Sequence, residues 1–316
     1  MNEKTVVLNA AKMNYDGKLD LTRLSGDVTV YDATAPEQLL ERIQGAAVVV
    51  TKELPVSADI LSQVPDSVKL LCEAGTGYNN IAMDAARAKG LTVCNIPAYS
   101  TQRVAHTAIM LMLNLSSSMR RQQAMLSRGD HSNFTEFLSV DHVELNGKTL
   151  GLIGTGSIGK AVAKIAQAME MRVIAHAHMP KADADDIHYV NLNELLAESD
   201  YLSLHCPLTP DTRHIIDADK LNKMKPSAFL INTSRGPLVD EAALIEALQK
   251  GVIAGAGLDV QEYEPPAEGN PLYTMDNVIL TPHMGWKGLE TRRRLSDLLA
   301  GNIKAFFDGA PINVVS

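Results

Sequence analysis

The stretch Thr149-Leu-Gly-Leu-Ile-Gly154-Thr-Gly156-Ser-Ile-Gly159-Lys160 decides the fold. Its apolar start predicts a buried strand, its glycines predict a tight turn, and residues 161–169 have the apolar spacing of a helix. Gly154 permits the turn, Gly156 lets a pyrophosphate approach the backbone, and Gly159 lets strand and helix pack closely. The helix N-terminus then faces the anionic phosphates. The sequence therefore predicts a strand–turn–helix unit that binds a dinucleotide.

The position of this fingerprint implies a second domain. The chain has 316 residues and the glycine-rich turn lies near its middle, so residues 1–98 must form another unit. Strand-like and helix-like segments alternate on both sides of the turn, which is typical of parallel sheets covered by helices. The amphipathic segment 289–307 is expected to be a helix that packs back on the N-terminal unit.

Apolar runs and periodicity predict the remaining elements. Further strands are expected at 5–8, 28–31, 47–51, 70–73, 91–95, 171–175, 202–205, 228–232, 255–260 and 278–280. Further helices are expected at 35–43, 58–64, 81–89, 103–119 and 241–249.

Composition argues against several functional classes. Apolar residues make up 46% of the chain and charged residues 21%, as expected of a globular protein. The net charge of −8, without a basic run, argues against nucleic-acid binding. The cluster Arg292-Arg293-Arg294 is expected on a solvated helix face. The N-terminus shows no signal-peptide pattern and no apolar run is long enough to span a membrane, so a cytoplasmic location is expected.

The cysteines and histidines give no sign of a metal site or a disulfide. Cys72, Cys94 and Cys206 are widely spaced and form no CxxC pair, so reduced, buried thiols are expected. The histidines lack the paired spacing of metal ligands. His205 follows a predicted strand near the cofactor face, where a core histidine is the favoured interpretation.

Several motifs beyond the glycine turn occur together. They are Leu230-Ile-Asn-Thr-Ser-Arg235-Gly236, Gly257-Leu-Asp259-Val-Gln-Glu-Tyr-Glu264-Pro265, Thr281-Pro-His283-Met-Gly-Trp286, Leu204-His-Cys206-Pro207-Leu-Thr-Pro-Asp-Thr212-Arg213, Ala74-Gly-Thr76-Gly77-Tyr78-Asn-Asn80 and Asn95-Ile-Pro-Ala-Tyr-Ser-Thr101. With them the chain resembles a D-isomer-specific 2-hydroxyacid dehydrogenase. Residues 77–80 and Trp286 resemble the glycerate dehydrogenase (hydroxypyruvate reductase) branch of that family.

The resemblance implies the architecture. It implies an α/β fold of two doubly wound domains, with a Rossmann nucleotide-binding domain, residues 99–286, inserted in a flavodoxin-like substrate domain, residues 1–98 and 287–316. It places the active site in the cleft between these domains, and ligands do gather at the carboxyl ends of strands in doubly wound sheets. It also implies a homodimer with helix 103–119 and its surroundings at the interface.

Three residues suit the reduction of a 2-oxo acid. Arg235 can bind the carboxylate, because a guanidinium forms a planar, charged fork. His283 can donate the proton to the ketone oxygen, since imidazole titrates near neutrality. Glu264 can orient that imidazole and favour its protonated form. Each has an ordinary alternative: a structural salt bridge, a loop residue and a capping residue, respectively. By resemblance, these are the family's catalytic arginine, glutamate and histidine.

The resemblance also implies binding residues. The predicted cofactor contacts are Gly154, Gly156, Ser157, Ile158, Gly159, Ala177, His178, Cys206, Pro207, Thr212, Thr233, Arg235, Asp259 and His283. The predicted substrate contacts are Thr76, Gly77, Tyr78, Arg235, His283 and Trp286. For Trp286, packing or a subunit contact is the alternative. Asp259 is expected to hold the carboxamide end of the nicotinamide, and Thr76 and Gly77 to offer backbone N–H groups to the substrate carboxylate.

One departure leaves cofactor choice open between NAD and NADP. In NAD-binding members an acid ends the second strand and binds the ribose hydroxyls. Here Ala177 takes that position, in His176-Ala177-His178-Met-Pro-Lys181. His178 and Lys181 could attract a 2′-phosphate, but no arginine is present to grip it, so NAD is ranked slightly first.

The substrate is expected to be a small 2-oxo acid, hydroxypyruvate or glyoxylate first. A D-lactate-, phosphoglycerate- or phosphite-type dehydrogenase of the same family is the alternative enzyme. A dinucleotide-sensing corepressor that binds protein partners is the alternative from another class. The intact catalytic set argues against the corepressor.

Overall fold

The computed structural model describes residues 3–179 and 181–316. The chain divides into two compact units. The first comprises residues 3–100 together with Trp286–Ser316, and the second is Thr101–Gly285. The divisions thus fall at 100/101 and 285/286, against the predicted 98/99 and 286/287.

The strands and helices alternate along most of the chain. In chain order the strands are β1 (Lys4–Val7), β2 (Asp27–Val30), β3 (Val48–Thr51), β4 (Leu70–Glu73), β5 (Thr92–Cys94), β6 (Thr149–Ile153), β7 (Arg172–His176), β8 (His188–Tyr189), β9 (Tyr201–Leu204), β10 (Phe229–Asn232), β11 (Gly255–Leu258) and β12 (Val278–Leu280). The α-helices are α1 (Ala11–Asn14), α2 (Leu39–Arg42), α3 (Ala58–Gln63), α4 (Met83–Ala88), α5 (Thr101–Ser116), α6 (Met119–Ser127), α7 (Ser132–Thr135), α8 (Ser157–Ala168), α9 (Leu192–Glu198), α10 (Ala218–Leu221), α11 (Glu241–Gln249) and α12 (Leu289–Phe307). Short 3₁₀ turns occur at Leu21–Leu24, Pro36–Gln38, Gly236–Leu238 and Pro271–Tyr273.

The first unit is built on a parallel sheet. Its strand order is β2-β1-β3-β4-β5, the order of flavodoxin-like folds. Strand β3 is buried along its whole length, as a valine-rich strand covered on both faces should be. The predicted helix 35–43 is interrupted: Pro36 opens a 3₁₀ turn, and α2 begins only at Leu39.

Helix α12 belongs to the core of this first unit. Leu295, Leu299 and Ile303 are buried together with Val50 of β3 and Cys72 of β4. Their spacing places them on one helix face, as the amphipathic pattern predicted. The C-terminal segment therefore completes the sheet-and-helix packing of the first unit.

The prediction of a solvated arginine cluster is wrong for Arg292. Its side chain is 2% exposed and donates to both carboxylate oxygens of Asp16, at 2.8 and 2.7 Å. It also donates to the carbonyls of Met13 and Lys287. This guanidinium lowers the pKa of Asp16 to about 2. Arg293, one residue on, is exposed as expected. The first turn of α12 thus buries a charge that makes four hydrogen bonds.

The second unit is built on a larger parallel sheet. Its order is β12-β11-β10-β9-β6-β7-β8, in which the chain reverses direction across the sheet between β6 and β9, as in Rossmann folds. Together the two sheets confirm the predicted fold class. The short elements α1, α7, α10 and β8 were not predicted, since they are too brief to show a period. The longer helices α6 and α9 were not predicted either. The predicted helix 103–119 ends early: α5 stops at Ser116, and Ser118 takes a left-handed φ of 46° before α6.

Two further predictions concern thiols and membranes. Cys72 and Cys94 are buried free thiols and Cys206 is partly buried and free, as predicted. Burial raises the pKa of Cys94 to about 11.

Within residues 3–179 and 181–316, no helix has the length and apolarity needed to cross a membrane.

Replacing Arg292 by glutamine should destabilise the first unit. The substitution leaves Asp16 without its partner, so the free energy of unfolding should fall by about 3 kcal/mol. Arg293→Gln, on the exposed face of the same helix, should change it by less than about 0.5 kcal/mol. Trp286, the single tryptophan and 6% exposed in this unit, reports the transition by fluorescence during denaturant titration. Equal midpoints for the two variants would contradict this assignment.

Candidate active site

The glycine turn is shaped by close backbone packing. Gly154 has φ +95°, and a Cβ added there would lie 2.7 Å from the carbonyl oxygen of His205. A Cβ on Gly159 would lie 2.3 Å from the carbonyl oxygen of Gly154. Neither position can accept a side chain, so the two glycines fix how β6 turns into α8. This is the strand–turn–helix unit that the sequence predicted.

The start of α8 offers space and donors for an anion. Gly156 is the N-cap residue and no side chain caps the helix there. A Cβ added to Gly156 would meet nothing within 4 Å. The first N–H groups of a helix have no partner inside it and carry its positive dipole end. The open approach over Gly156, next to Ser157 and Ile158, therefore fits a pyrophosphate.

The end of β7 carries no acid. Ala177 follows the strand directly, and His178 beyond it is exposed. Lys181 donates to the hydroxyl of Thr155 at 3.2 Å, and Tyr189 donates to the same hydroxyl at 2.9 Å. These contacts bring a lysine from the segment after β7 to the glycine turn, which the sequence alone did not predict.

The segment after β9 forms the other wall of the glycine turn. The backbone of Cys206 lies against Gly154. Thr212 donates to the carbonyl of Pro207 at 2.7 Å and closes the loop between them. Burial lowers the pKa of His205 to about 4, and its Nε2 lies 2.9 Å from the hydroxyl of Ser203. His205 is thus neutral near pH 7, but the residue is only partly buried, so the favoured interpretation of a core histidine holds in part.

Arg235 is held by its backbone, and its side chain lacks an ionic partner. Asn232 donates from its side chain to the Arg235 carbonyl at 2.9 Å. A Cβ on Gly236 would lie 1.7 Å from the carbonyl oxygen of Gln261, so this loop is packed tightly. The guanidinium donates to the Ser234 carbonyl at 2.7 Å. Among the carboxylates of the described residues, none lies within ion-pair distance of Arg235. The structural salt bridge considered above is therefore not observed.

His283 is paired with Glu264. Its Nδ1 lies 2.8 Å from Oε2 of Glu264. The other oxygen, Oε1, accepts the backbone N–H of Gln261 at 3.0 Å. His283 has a left-handed φ of 47°, and its N–H is anchored to the carbonyl of Asp259 at 2.9 Å. Because Nδ1 faces a carboxylate, Nε2 is the ring nitrogen that can deliver a proton to a substrate.

Asp259 anchors the segment that carries His283. It is 1% exposed, and its oxygens accept the N–H groups of Met284 and Gly285 at 2.9 and 2.8 Å. The hydroxyl of Thr281 donates to it as well. The buried hydroxyl of Thr233, at the end of β10, has no hydrogen-bond partner in the described part of the chain. Thr233 is therefore free to meet a ligand.

The predicted substrate residues of the first unit follow β4. Thr76 donates from its hydroxyl to the Ile96 carbonyl at 3.0 Å, and its own carbonyl accepts from the Asn95 side chain at 2.7 Å. These bonds hold the turn that carries Gly77 and Tyr78. Trp286 lies in the core of this unit, with its ring centroid 6.5 Å from that of Tyr99. Its observed environment is the packing that was kept as the alternative.

The described residues contain no group of histidine, cysteine and acidic side chains that could hold a metal ion.

Known proteins resemble this chain over most of its length. Residues 109–285 match the model of the D-isomer specific 2-hydroxyacid dehydrogenase, NAD binding domain. The chain is 43% identical over 290 residues to glycerate dehydrogenase of Methylorubrum extorquens, covering 90% of each chain. It is 38% identical over 322 residues to hydroxypyruvate reductase of Blautia hydrogenotrophica, covering 99% of each. The crystal structure of the TT0316 protein of Thermus thermophilus superposes with a TM-score of 0.87 at 34% identity, covering 99% of this chain and 100% of that one.

The chain belongs to the D-isomer specific 2-hydroxyacid dehydrogenase family. It is therefore an oxidoreductase that uses a nicotinamide dinucleotide and acts on a small 2-hydroxy acid. The predicted likeness to the glycerate dehydrogenase and hydroxypyruvate reductase branch is confirmed by those two relatives.

The structure of this dehydrogenase also shows residues that sequence reasoning did not select. Gly236 is required by the contact with Gln261, and Asn232 fixes the backbone that presents Arg235. Both lie within the motif around Arg235, but their roles depend on contacts with other parts of the chain. Lys181 was named above as a possible phosphate contact, but its approach to Thr155 depends on a loop conformation that periodicity cannot show.

Gly156 and Gly159 should respond differently to alanine. Gly156→Ala should change the free energy of unfolding by less than about 1 kcal/mol, because open space receives the methyl group. It should still raise the dissociation constant of NADH about tenfold or more, since the methyl group stands where phosphate oxygens meet the backbone. Gly159→Ala should lower the melting temperature, because its Cβ collides with the Gly154 carbonyl. Calorimetric titration and thermal unfolding measure the two effects, and unchanged NADH affinity in Gly156→Ala would refute the predicted phosphate position.

Proposed function

We propose that this dehydrogenase catalyses reversible reduction of a small 2-oxo acid, hydroxypyruvate or glyoxylate first, to the D-2-hydroxy acid. The observation that carries the proposal is the His283–Glu264 pair at 2.8 Å, in the same unit as an arginine that lacks an ionic partner among the described residues. One group can donate a proton and the other can bind a carboxylate. The names of the two relatives support the same substrates.

The proposed mechanism assigns one task to each side chain. The reduced nicotinamide, when bound, supplies the hydride to the carbonyl carbon. Arg235 binds and orients the substrate carboxylate through its fork of N–H donors. His283 donates its Nε2 proton to the carbonyl oxygen, where negative charge develops. Glu264 holds the imidazole through Nδ1 and so leaves Nε2 as the nitrogen that meets the substrate. Thr76 and Gly77 are proposed substrate contacts through their backbone N–H groups.

The remaining predicted contacts keep their proposed roles. Gly154, Gly156, Ser157, Ile158 and Gly159 would hold the pyrophosphate, and the open helix N-terminus described above fits it. The contacts proposed along the rest of the cofactor are Ala177, His178, Cys206, Pro207, Thr212, Thr233 and Asp259.

A panel of 2-oxo acids with NADH and NADPH tests the reaction. Oxidation of a reduced cofactor with hydroxypyruvate or glyoxylate, giving the D-isomer, is expected. Preference for pyruvate or a phosphorylated 2-oxo acid would favour the D-lactate- or phosphoglycerate-type alternative. Cofactor binding without turnover of any 2-oxo acid would favour the corepressor and refute the proposal.

Substitutions in the catalytic set should have distinct signatures. His283→Ala should lower kcat about 100-fold or more, the usual effect of losing a general acid. Arg235→Ala should raise KM and lower kcat together. Glu264→Gln should retain some activity but lower kcat, because the imidazole loses the carboxylate that orients it through Nδ1.

Steady-state kcat and KM values of these variants provide the measurement, with His188→Ala as the control. His188 is also paired with a carboxylate, Asp183, but both side chains are exposed by more than half. The kcat of the His188→Ala enzyme should stay within about twofold of that of the parent. An unchanged kcat in Glu264→Gln would show that Glu264 does not position the proton donor.

For the cofactor, we propose NAD(H) slightly ahead of NADP(H), with both used. Ala177 provides no carboxylate to repel a 2′-phosphate or to bind the ribose hydroxyls. Lys181, held at Thr155 beside the glycine turn, adds a positive charge on this side of the site. A lysine is a point charge without the bidentate fork of arginine, so its preference for phosphate is modest.

Placing an acid at position 177 should make the enzyme select NAD(H). Ala177→Asp should lower kcat/KM with NADPH about tenfold or more relative to NADH, because the carboxylate repels the phosphate and binds the ribose. Lys181→Met should also reduce the use of NADPH more than that of NADH. The two cofactors are compared at saturating hydroxypyruvate. If Ala177→Asp used NADPH as well as the parent, residue 177 would not select the cofactor.

We also propose a homodimer in the cytoplasm that binds neither nucleic acid nor membranes. Large apolar side chains are exposed within the second unit between residues 113 and 143, and Phe134 and Phe137 are 79% and 72% exposed. The others are Leu113, Met119, Leu126, Leu138 and Val143. Several exposed large apolar side chains within one stretch of chain favour a protein–protein interface there. Sedimentation as a monomer at micromolar concentration would contradict the dimer.

A further inference from the structure

We propose that the ammonium group of Lys52 binds the carboxylate of the substrate at the turn formed by residues 75–77. This inference rests on the proposed function and adds a binding residue to it. Sequence reasoning did not select Lys52, and no motif quoted above includes it.

The sheet of the first unit places Lys52 beside this turn. Strands β3 and β4 are parallel neighbours, and Thr51 is in register with Glu73. Lys52 and the turn 75–77 therefore leave the same carboxyl edge of the sheet, where ligands bind in such folds. A Cβ added to Gly75 would lie 3.3 Å from Nζ of Lys52. Gly75 thus leaves room for the ammonium group against the turn that presents Thr76 and Gly77.

Lys52 is almost fully buried, although the side chain of its ionic partner, Glu53, is partly exposed. The residue is 4% exposed, and its Nζ lies 2.9 Å from Oε1 of Glu53. Nζ also lies over the ring of Trp286, 4.1 Å from the ring centroid, a position that suits a cation–π contact. An ammonium group has three N–H donors, and burying its charge is costly unless they are matched. One carboxylate and one ring face leave donor capacity for a further acceptor.

The partner carboxylate is itself shared between two lysines. The side chain of Glu53 is 41% exposed, and its Oε2 lies 3.6 Å from Nζ of Lys12. Water and Lys12 both weaken the hold of Glu53 on Lys52. The positive charge at Lys52 is therefore only partly neutralised.

The second nearby acid is already committed to other donors. Glu73 is 1% exposed and accepts the hydroxyl of Thr51 at 2.8 Å, the backbone N–H of Glu53 at 3.0 Å and the side chain of Asn80 at 2.9 Å. Its burial raises the pKa of its carboxyl group. Glu73 attracts Lys52 electrostatically, but its oxygens accept these other donors and it forms no ion pair with Lys52 within the described residues, so it mainly stabilises the turn that ends at Asn80. A small carboxylate supplies the missing acceptor and charge.

Lys52→Met tests the proposal, because methionine keeps the unbranched apolar stem and removes the charge. KM for hydroxypyruvate and for glyoxylate should rise about 10–100-fold, the range for losing a charge-assisted hydrogen bond. The kcat should change by less than about threefold, and KM for NADH should not change. Lys52→Arg should recover part of the affinity. Lys12→Met removes the exposed lysine that shares Glu53 and should leave KM within about twofold.

Several results would overturn the inference. One is an unchanged KM for both acids in Lys52→Met while the parent enzyme is active. Another is an equal rise of KM for NADH and for the acids together with altered Trp286 fluorescence, which would indicate a structural role alone. If Lys52→Met does not fold, Gly75→Ala provides the test: its methyl group, 3.3 Å from Nζ, shifts the ammonium group by a few tenths of an ångström and should raise KM for the acids only. Failure of the parent itself to turn over any 2-oxo acid would instead refute the proposed function.

Discussion

Parallel, in-register pairing of β9, β10, β11 and β12 is the constraint on which the candidate site depends. Each strand pairs with its neighbour so that all four end at one edge of the sheet. The segments leaving that edge carry His205, Arg235, Glu264 and His283, which are separated along the chain by up to 78 residues. No local interaction could bring them together. The sheet does so as a by-product of satisfying its own backbone hydrogen bonds.

Close backbone contacts then determine where the functional groups point. Carbonyl oxygens stand where side chains at Gly154 and Gly236 would be, and His283 takes a left-handed conformation that a non-glycine residue rarely adopts. Such strain persists only where the surroundings determine the backbone. Here the buried carboxylate of Asp259 determines the backbone. It accepts the hydroxyl of Thr281 before His283 and the N–H groups of Met284 and Gly285 after it. The strain is thus tied to the placement of the proposed proton donor.

The first unit buries two cations in different ways. Arg292 has a bidentate carboxylate and two carbonyl acceptors, so its charge and its donors are matched within the protein. Lys52 is almost as buried, yet it has one carboxylate, which it shares with Lys12. A matched buried charge stabilises a fold, whereas an incompletely matched one at a ligand-binding edge is suited to recognition. This contrast separates a structural cation from a proposed binding residue in the same unit.

The sequence by itself predicted the order of the longer strands and helices, the glycine turn and the proposed catalytic set. These features depend on residues close together in the chain: periodicity over one element, glycines at fixed spacing, and motifs such as that around Arg235. Tertiary structure alone decided that Arg292 is buried, that Trp286 belongs to the core of the first unit, and that Lys52 lies under the turn at Gly75. The end of α5 at Ser116 was likewise decided by tertiary structure, because the apolar spacing had predicted a helix as far as residue 119. The physical reason is that burial and ion pairing are set by partners remote in sequence, such as Asp16 for Arg292, and a local pattern contains no information about such partners.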